Sequence, residues 1–345
     1  MNTSTTPQPL QTGLLFDAER QLWIAAHPDT VHDVLHHPGL RVRPVAEPVP
    51  KALAGGPAGE MFGRWLRMSD GAAHQAGKPA LRAALQRWTE EHRIELRALV
   101  QTSAARRLPF GWPDWMWVTP ASSMAQMLGI AVEQADALAP LLRVLAKGFA
   151  PGADELAARA AHEAAQTLQG LIAKAPPSRL LRAIRAEGWD DASDVQANLA
   201  GLIWQSFEAT AALLGNGLVA LARDAELARR MRERDADWAA LLRQVCRSDA
   251  PIQQTRRFAP QPMDVAGTEL PAGACIIVVL SGAGTSTFGD GPHACPGQDL
   301  ALLIARSALQ QALHSGMAWP AVDDLRYEPA ANLRAPIFAN PKVQT

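Results

Sequence analysis

The chain has 345 residues, 48% of them apolar, and a formal net charge of −1. That is ample material for a sizeable core, and the near-neutral balance argues against nucleic acid as the main partner. The three cysteines, Cys246, Cys275 and Cys295, are too few and odd in number for a disulfide framework and point to a reducing, cytoplasmic setting.

Residues 1–12 are polar and rich in Pro and Thr, which predicts disorder. Nothing there resembles a signal peptide. Residues 21–26 (QLWIAA) read as a strand. Residues 28–38 read as a helix, with Pro28 near its start and Pro38 just past its end. Residues 43–60, rich in Pro, Gly and Ala, read as a long loop. From residue 69 to 174 the pattern is mostly helical and rich in alanine. Within it, PFGWPDWMWV (109–118) is short and broken by prolines, so it cannot span a bilayer and no membrane partner is expected. Its Trp112, Trp115 and Trp117 read as packing. Residues 191–222 form a long helix candidate, apolar on nearly all sides and so buried along its length. Residues 264–280 read as a β-hairpin with Pro271 and Gly273 in its turn. A last helix runs from Gln298 to His314. The fold class is mainly α with a minor β component, in a single domain over residues 1–345.

The stretch STFGDGPHACPGQDLALL (286–303) sets a thiol among glycines and prolines at the mouth of that last helix. A helix N-terminus presents positive dipole and unpaired N–H groups, which favour thiolate. Gly289, Gly291 and Gly297 permit tight turns and close approach of backbone to a ligand. Such a thiolate is a nucleophile or a soft metal ligand. With no second cysteine nearby, zinc and iron–sulfur clusters are disfavoured. A buried cysteine in a Gly-rich turn is the plain alternative.

The order Phe288, Gly291, His293, Cys295, Gly297 resembles the heme-ligand loop of the cytochrome P450 superfamily. The resemblance extends in order along the chain. Residues 21–40 look like the early strand and helix, and MSDGAAHQAGKPALR (68–82) like the C-helix approach. FEATAALLGNGLVALA (207–222) looks like the central I helix, LLRQVCRSDAPIQQTRRFA (241–259) like the K helix with its strand, and LRYEPAANLRAPIF (325–338) like the C-terminal strands. It implies a triangular helical domain around heme b, iron protoporphyrin IX. Cys295 would be the axial iron ligand, and Phe288, Gly289 and Gly297 would line the heme. The thiolate would donate electron density that favours O–O cleavage. By the same resemblance His74, Lys78, Arg256 and His293 match positions that hold the propionates, anions that need cationic or N–H donors when buried.

Three departures from the family pattern bear on function. In the central helix the acid is Glu208, but Ala209 stands where a threonine is usual. Thr210 is one residue on, about 100° around the helix. Gln205 and Ser206 share a face with Ala209 and are expected to look onto the heme. The K helix carries Gln244 and Arg247 in place of Glu-x-x-Arg, where Gln244 can still accept a hydrogen bond from Arg247. Against the family pattern, about two dozen residues of the connecting meander are absent, which puts docking of a ferredoxin-type electron donor in doubt. The resemblance implies oxidation, as by a monooxygenase, of a small, largely apolar molecule. A peroxygenase, a redox-neutral dehydratase or isomerase, and a non-catalytic heme binder remain open. Residues 43–64 and 146–155 are expected to border the substrate pocket.

Overall fold

The computed structural model describes residues 12–234, 237–282 and 287–339. Residues 1–11, on which the expected disorder falls, and residues 283–286, within the shortened connection, lie outside the described residues.

The long helical stretch is divided into Ala72–Glu91, Arg93–Arg107, Trp112–Met127, Val132–Asp136, Leu138–Phe149 and Glu155–Lys174. Gly111, at φ +86°, makes the turn into the Trp112–Met127 helix. Trp112, Trp115 and Trp117 are all buried in the main core, as packing residues should be. The central helix runs from Ala192 to Arg223 and is interrupted by a π-turn at Ser206–Thr210. Asp191 caps its start by accepting from the Asp194 N–H at 2.8 Å. The last helix, Gln298–His314, coincides with its expected span.

Strands are few. β1 (Leu15–Asp17), β2 (Leu22–Ala25), β6 (Cys275–Val279) and β3 (Gln254–Phe258) form one sheet in the order β1-β2-β6-β3. β2 runs parallel to β6, and β3 antiparallel to it. The first helix, Pro28–His36, buries Val31, Val34 and Leu35 in a second core cluster that also holds Ile276 and Val278. The hairpin of residues 264–280 differs from expectation. β4 (Met263–Val265) pairs with β5 (Thr268–Leu270) through a turn at Ala266 and Gly267, both at positive φ. β6 instead joins the larger sheet, because its continuous Ile-Ile-Val run is buried and needs pairing on both edges. β7 (Arg326–Tyr327) and β8 (Pro336–Ile337) form the C-terminal pair. Residues 43–60 also carry more structure than expected: a short 3₁₀ turn at Lys51–Leu53, then a helix from Pro57.

Candidate functional site

The cysteine loop is closed by its own backbone. The Cys295 N–H donates to the Phe288 carbonyl at 2.9 Å, and a 3₁₀ turn at Gly291–His293 fills the span between them. The Gly297 N–H is hydrogen-bonded to the Cys295 sulfur. Lys78, Arg67 and Arg82 add positive field there. Desolvation nevertheless outweighs all of these donors and pushes the thiol pKa up, so the helix mouth alone does not produce the expected thiolate. A cation bonded to sulfur would reverse that balance. Beside the loop the backbone leaves room. A Cβ on Gly289 would meet nothing within 4 Å, and one on Gly297 only Leu85 at 4.0 Å.

Next to the sulfur lies a cluster of bases. The Ala72–Glu91 helix turns in from Gly71, at φ +71°, and places His74 and Lys78 one above the other, both buried. The His74 and His293 rings lie 4.1 Å apart. His293 Nε2 approaches Asp70 Oδ1 at 3.2 Å, and Asp70 also accepts from the Val42 N–H at 3.0 Å. Arg257 is 5% exposed and feels Asp70, whereas Arg256 is exposed. Strand alternation sends neighbours to opposite faces, so Arg257 rather than the expected Arg256 joins the cluster.

Burial lowers the pKa of every base in this group. His74 falls to about 4, chiefly by desolvation, with His293 and Lys78 adding to it. Lys78 falls to about 8 by desolvation, against the pull of Cys295. Arg257 falls to about 10 by desolvation, against Asp70. His293 is lowered too, with burial outweighing its Asp70 bond. His74 Nε2 and His293 Nδ1 are buried without a hydrogen-bond partner among the described residues. Depressed bases and orphaned ring nitrogens together mark a pocket short of negative charge. A dianionic heme edge has the chemistry that such a pocket requires.

The central helix reaches the same neighbourhood, since Arg67 interacts with both Glu208 and Cys295. Most of its residues are buried, but Leu202, Gln205, Ser206, Glu208 and Ala209 keep partial exposure. Leu202, Gln205, Ser206 and Ala209 recur at helical spacing and form one partly exposed stripe along the helix. Thr210 is buried and off this stripe, as its place about 100° around the helix implies, so this candidate for the site stands apart from the others. Gln205 and Ser206 lie on the stripe, but both turn their donors back along the helix. Gln205 Nε2 donates to the Gly201 carbonyl at 2.9 Å, and Ser206 Oγ to the Leu202 carbonyl at 2.8 Å.

Glu208 is accompanied by a residue that the sequence reading missed. Arg67 lies 5.7 Å from the Trp204 ring centroid. Burial lowers its pKa, opposed by Glu208 and Cys295, while burial raises that of Glu208, opposed by Arg67. Its side chain keeps accessible surface, yet it is crowded enough for desolvation to lead and near enough to Glu208 and Cys295 to feel both. The backbone before it is pinned to the central helix. Trp65 Nε1 donates to the Ala197 carbonyl at 2.9 Å, and Asn198 Oδ1 accepts from the Leu66 N–H at 3.0 Å. Phe149, from the expected pocket border, packs on Trp65 and Trp204 with centroids 5.1 and 5.3 Å away. A lone cation within the apolar run Trp-Leu-Arg-Met was the available signal for Arg67.

Gln244 and Arg247 are both exposed on the helix Trp238–Ser248, and no hydrogen bond joins them among the described residues. The end of this helix is instead tied to the C-terminal strands. Arg334 pairs with Asp249 at 3.2 Å and stacks on Tyr327, 3.8 Å from the ring centroid. Among the described residues no helix is long and apolar enough to cross a membrane.

No family model matches the chain. A 94-residue stretch is 32% identical to the protein named cytochrome P450 140 in Mycobacterium tuberculosis, covering 27% of this chain and 21% of that one. Cytochrome P450 monooxygenase PikC of Streptomyces venezuelae is 31% identical over 136 residues, 32% of each chain. The protein named cytochrome P450 133B1 in Xylella fastidiosa is 25% identical over 251 residues, 62% of each. The chain thus aligns with less than two thirds of each curated relative. Among solved structures, P450BioI, crystallised with an acyl carrier protein ligated to hexadec-9Z-enoic acid, superposes with TM-score 0.78 at 18% identity over 96% of this chain and 94% of that one. CalO2 superposes with TM-score 0.79 at 16% identity, over 96% and 92%. The chain thus has the cytochrome P450 fold, and the partial sequence relatives it matches are cytochromes P450 as well.

Proposed function

We propose that the chain is a heme-thiolate oxidoreductase that oxidises a small organic molecule. Cys295 would bind the iron through its sulfur, and Lys78, Arg257, His74 and His293 would hold the propionates. One observation carries this reading: a half-buried thiol with a backbone N–H at its sulfur stands beside four desolvated bases, two of them with orphaned nitrogens. When bound, the heme supplies the redox chemistry, and thiolate donation favours O–O cleavage. The protein's own groups divide the remaining work. The Gly297 N–H moderates charge on the Cys295 sulfur. Lys78 and Arg257 supply fixed positive charge, and the two imidazoles supply N–H donors. Glu208 carries a proton at its carboxyl, and Arg67 stabilises the carboxylate left when that proton moves.

The test is the absorption spectrum of the reduced protein under carbon monoxide. The wild type is expected to show the strongly red-shifted Soret band of thiolate ligation, and Cys295→Ser to lose it. A wild type that takes up no hemin, or a shifted band that survives in Cys295→Ser, refutes the assignment.

A second reading concerns the source of oxidant. No hydroxyl stands at Ala209, and the Ser206 proton is committed to a backbone carbonyl. That leaves Glu208 with Arg67 as the acid–base pair, an arrangement suited to peroxide, where substrate C–H and H₂O₂ give the alcohol and water. Turnover with hydrogen peroxide matching or exceeding that with a ferredoxin, its reductase and NAD(P)H supports this reading. The reverse order supports a monooxygenase with an electron donor. Product from neither, with heme bound, supports a redox-neutral or non-catalytic role.

A further inference from the structure

We propose that His32, His36 and Asp290 form a site for a divalent transition-metal ion of the zinc class, joining the first helix to the cysteine loop. This site does not depend on the heme assignment. His32 and His36 stand at i and i+4 on the helix Pro28–His36, with ring centroids 4.0 Å apart. Asp290 precedes the 3₁₀ turn Gly291–His293 in the loop that carries Cys295.

The His36 ring is oriented as a ligand. Its Nδ1 lies 3.0 Å from the His32 carbonyl, which can only accept, so Nδ1 holds the proton and Nε2 can offer a lone pair. That is how a metal-bound imidazole is usually fixed in tautomer and direction. His36 Nε2 is 3.8 Å from Asp290 Oδ1, and His32 Nδ1 is 3.5 Å from Asp290 Oδ2. These gaps are too long for good hydrogen bonds. One ligand atom from each residue lies within 4.8 Å of the others. Ligand atoms about 2.0–2.1 Å from a tetrahedral ion stand roughly 3.4 Å from one another, close to the separations here. Two imidazoles and a carboxylate suit zinc or its neighbours in the transition series, with water completing the sphere.

The carboxylate and the loop are also held in place. Asp290 Oδ1 accepts from the Gly291 N–H at 2.7 Å. Gly291 sits at φ +68°, and an added Cβ would come within 3.0 Å of both His36 Cδ2 and the Leu35 carbonyl oxygen. The loop is therefore pressed against the helix, and an ion at this seam would fasten the segment that presents the cysteine.

The experiment uses untagged full-length protein stripped with chelator. Zn(II) is titrated by calorimetry, and Co(II) is followed by its visible absorption. One tight equivalent is expected, weakened by roughly tenfold or more in both His36→Ala and Asp290→Asn. Co(II) bands typical of four-coordination should appear in the wild type and vanish in Asp290→Asn. Zn(II) should raise the melting temperature of the wild type but not of Asp290→Asn, and circular dichroism checks that each variant folds. Absence of a tight equivalent, or wild-type affinity in Asp290→Asn, overturns the proposal; the latter would leave an adventitious ion on surface imidazoles only.

Discussion

The cysteine loop and the central helix treat their polar atoms in opposite ways. In the loop, the Gly297 N–H meets the sulfur, and the Cys295 N–H closes the turn onto Phe288. In the helix, Gln205 and Ser206 turn away to bond carbonyls one turn back, and Ala209 has no hydroxyl to offer. One region is thus specified by backbone, the other by two side chains, Glu208 and Arg67. A backbone-built site tolerates change in its neighbours, whereas a site resting on two side chains is lost with either one.

That contrast predicts the largest effect at Glu208. Glu208→Gln keeps size and hydrogen bonding but cannot carry a proton. Turnover with the productive oxidant should fall by about 10²–10⁴, the usual range for a general acid–base group. The reduced carbon monoxide spectrum, which reports the cysteine loop, should not change. If both change together, the two regions are not separable.

Next comes the base cluster. Arg257→Leu removes a buried cation, and heme affinity should weaken by roughly tenfold to a hundredfold, as expected for a charged hydrogen bond. Arg256→Leu, on the exposed face, should bind heme like the wild type. Competition for hemin with an acceptor protein measures both. Equal losses would mean that the alternation of β3 does not decide which arginine serves.

A pH effect of moderate size follows from His74. Its pKa is near 4 in the fold and near 6.5 when unfolded. The unfolded chain therefore binds more protons in that window. The stability linked to His74 is complete above the unfolded value and is lost as pH falls through the folded one. Heme-free protein should unfold more readily in urea at about pH 4.5 than at about pH 7, and His74→Gln should flatten that difference. Heme loading should also flatten it, because a propionate beside the ring offsets the desolvation that lowers its pKa. A heme-free wild type with no loss of stability between these pH values would contradict the burial of His74.

These outcomes also show which features could be read from residue order. The helices 28–36 and 298–314 are bracketed by Pro28, Pro38 and Pro296 and carry an apolar period, so their spans were legible. The cysteine loop was legible because its glycines and prolines are specified one by one. Arg256 rather than Arg257 was expected in the cluster because a motif marks a neighbourhood, whereas strand alternation selects the face. The hairpin turn fell at Ala266–Gly267 because β6 pairs with strands distant in sequence, a tertiary preference with no local mark. The thiol pKa was expected to fall because a helix mouth is visible in sequence, and it rises because burial is not. Arg67 was overlooked because its partners lie on the central helix, far along the chain.

The smallest effects belong to the K-helix end, where the comparison is sharpest in sign. A family-style acid at Gln244 would face solvent beside an exposed Arg247, so Gln244→Glu should change stability by no more than about 0.5 kcal/mol. Asp249→Asn removes the partner of Arg334, whose guanidinium is already stacked on Tyr327 and half-exposed. Screening keeps that loss to about 1 kcal/mol or less. Chemical denaturation of the two variants should rank Asp249→Asn as the less stable. The opposite ranking would mean that the helix is anchored through Gln244 after all, and that the Asp249–Arg334 pair is a solvated contact with little hold on the C-terminal strands.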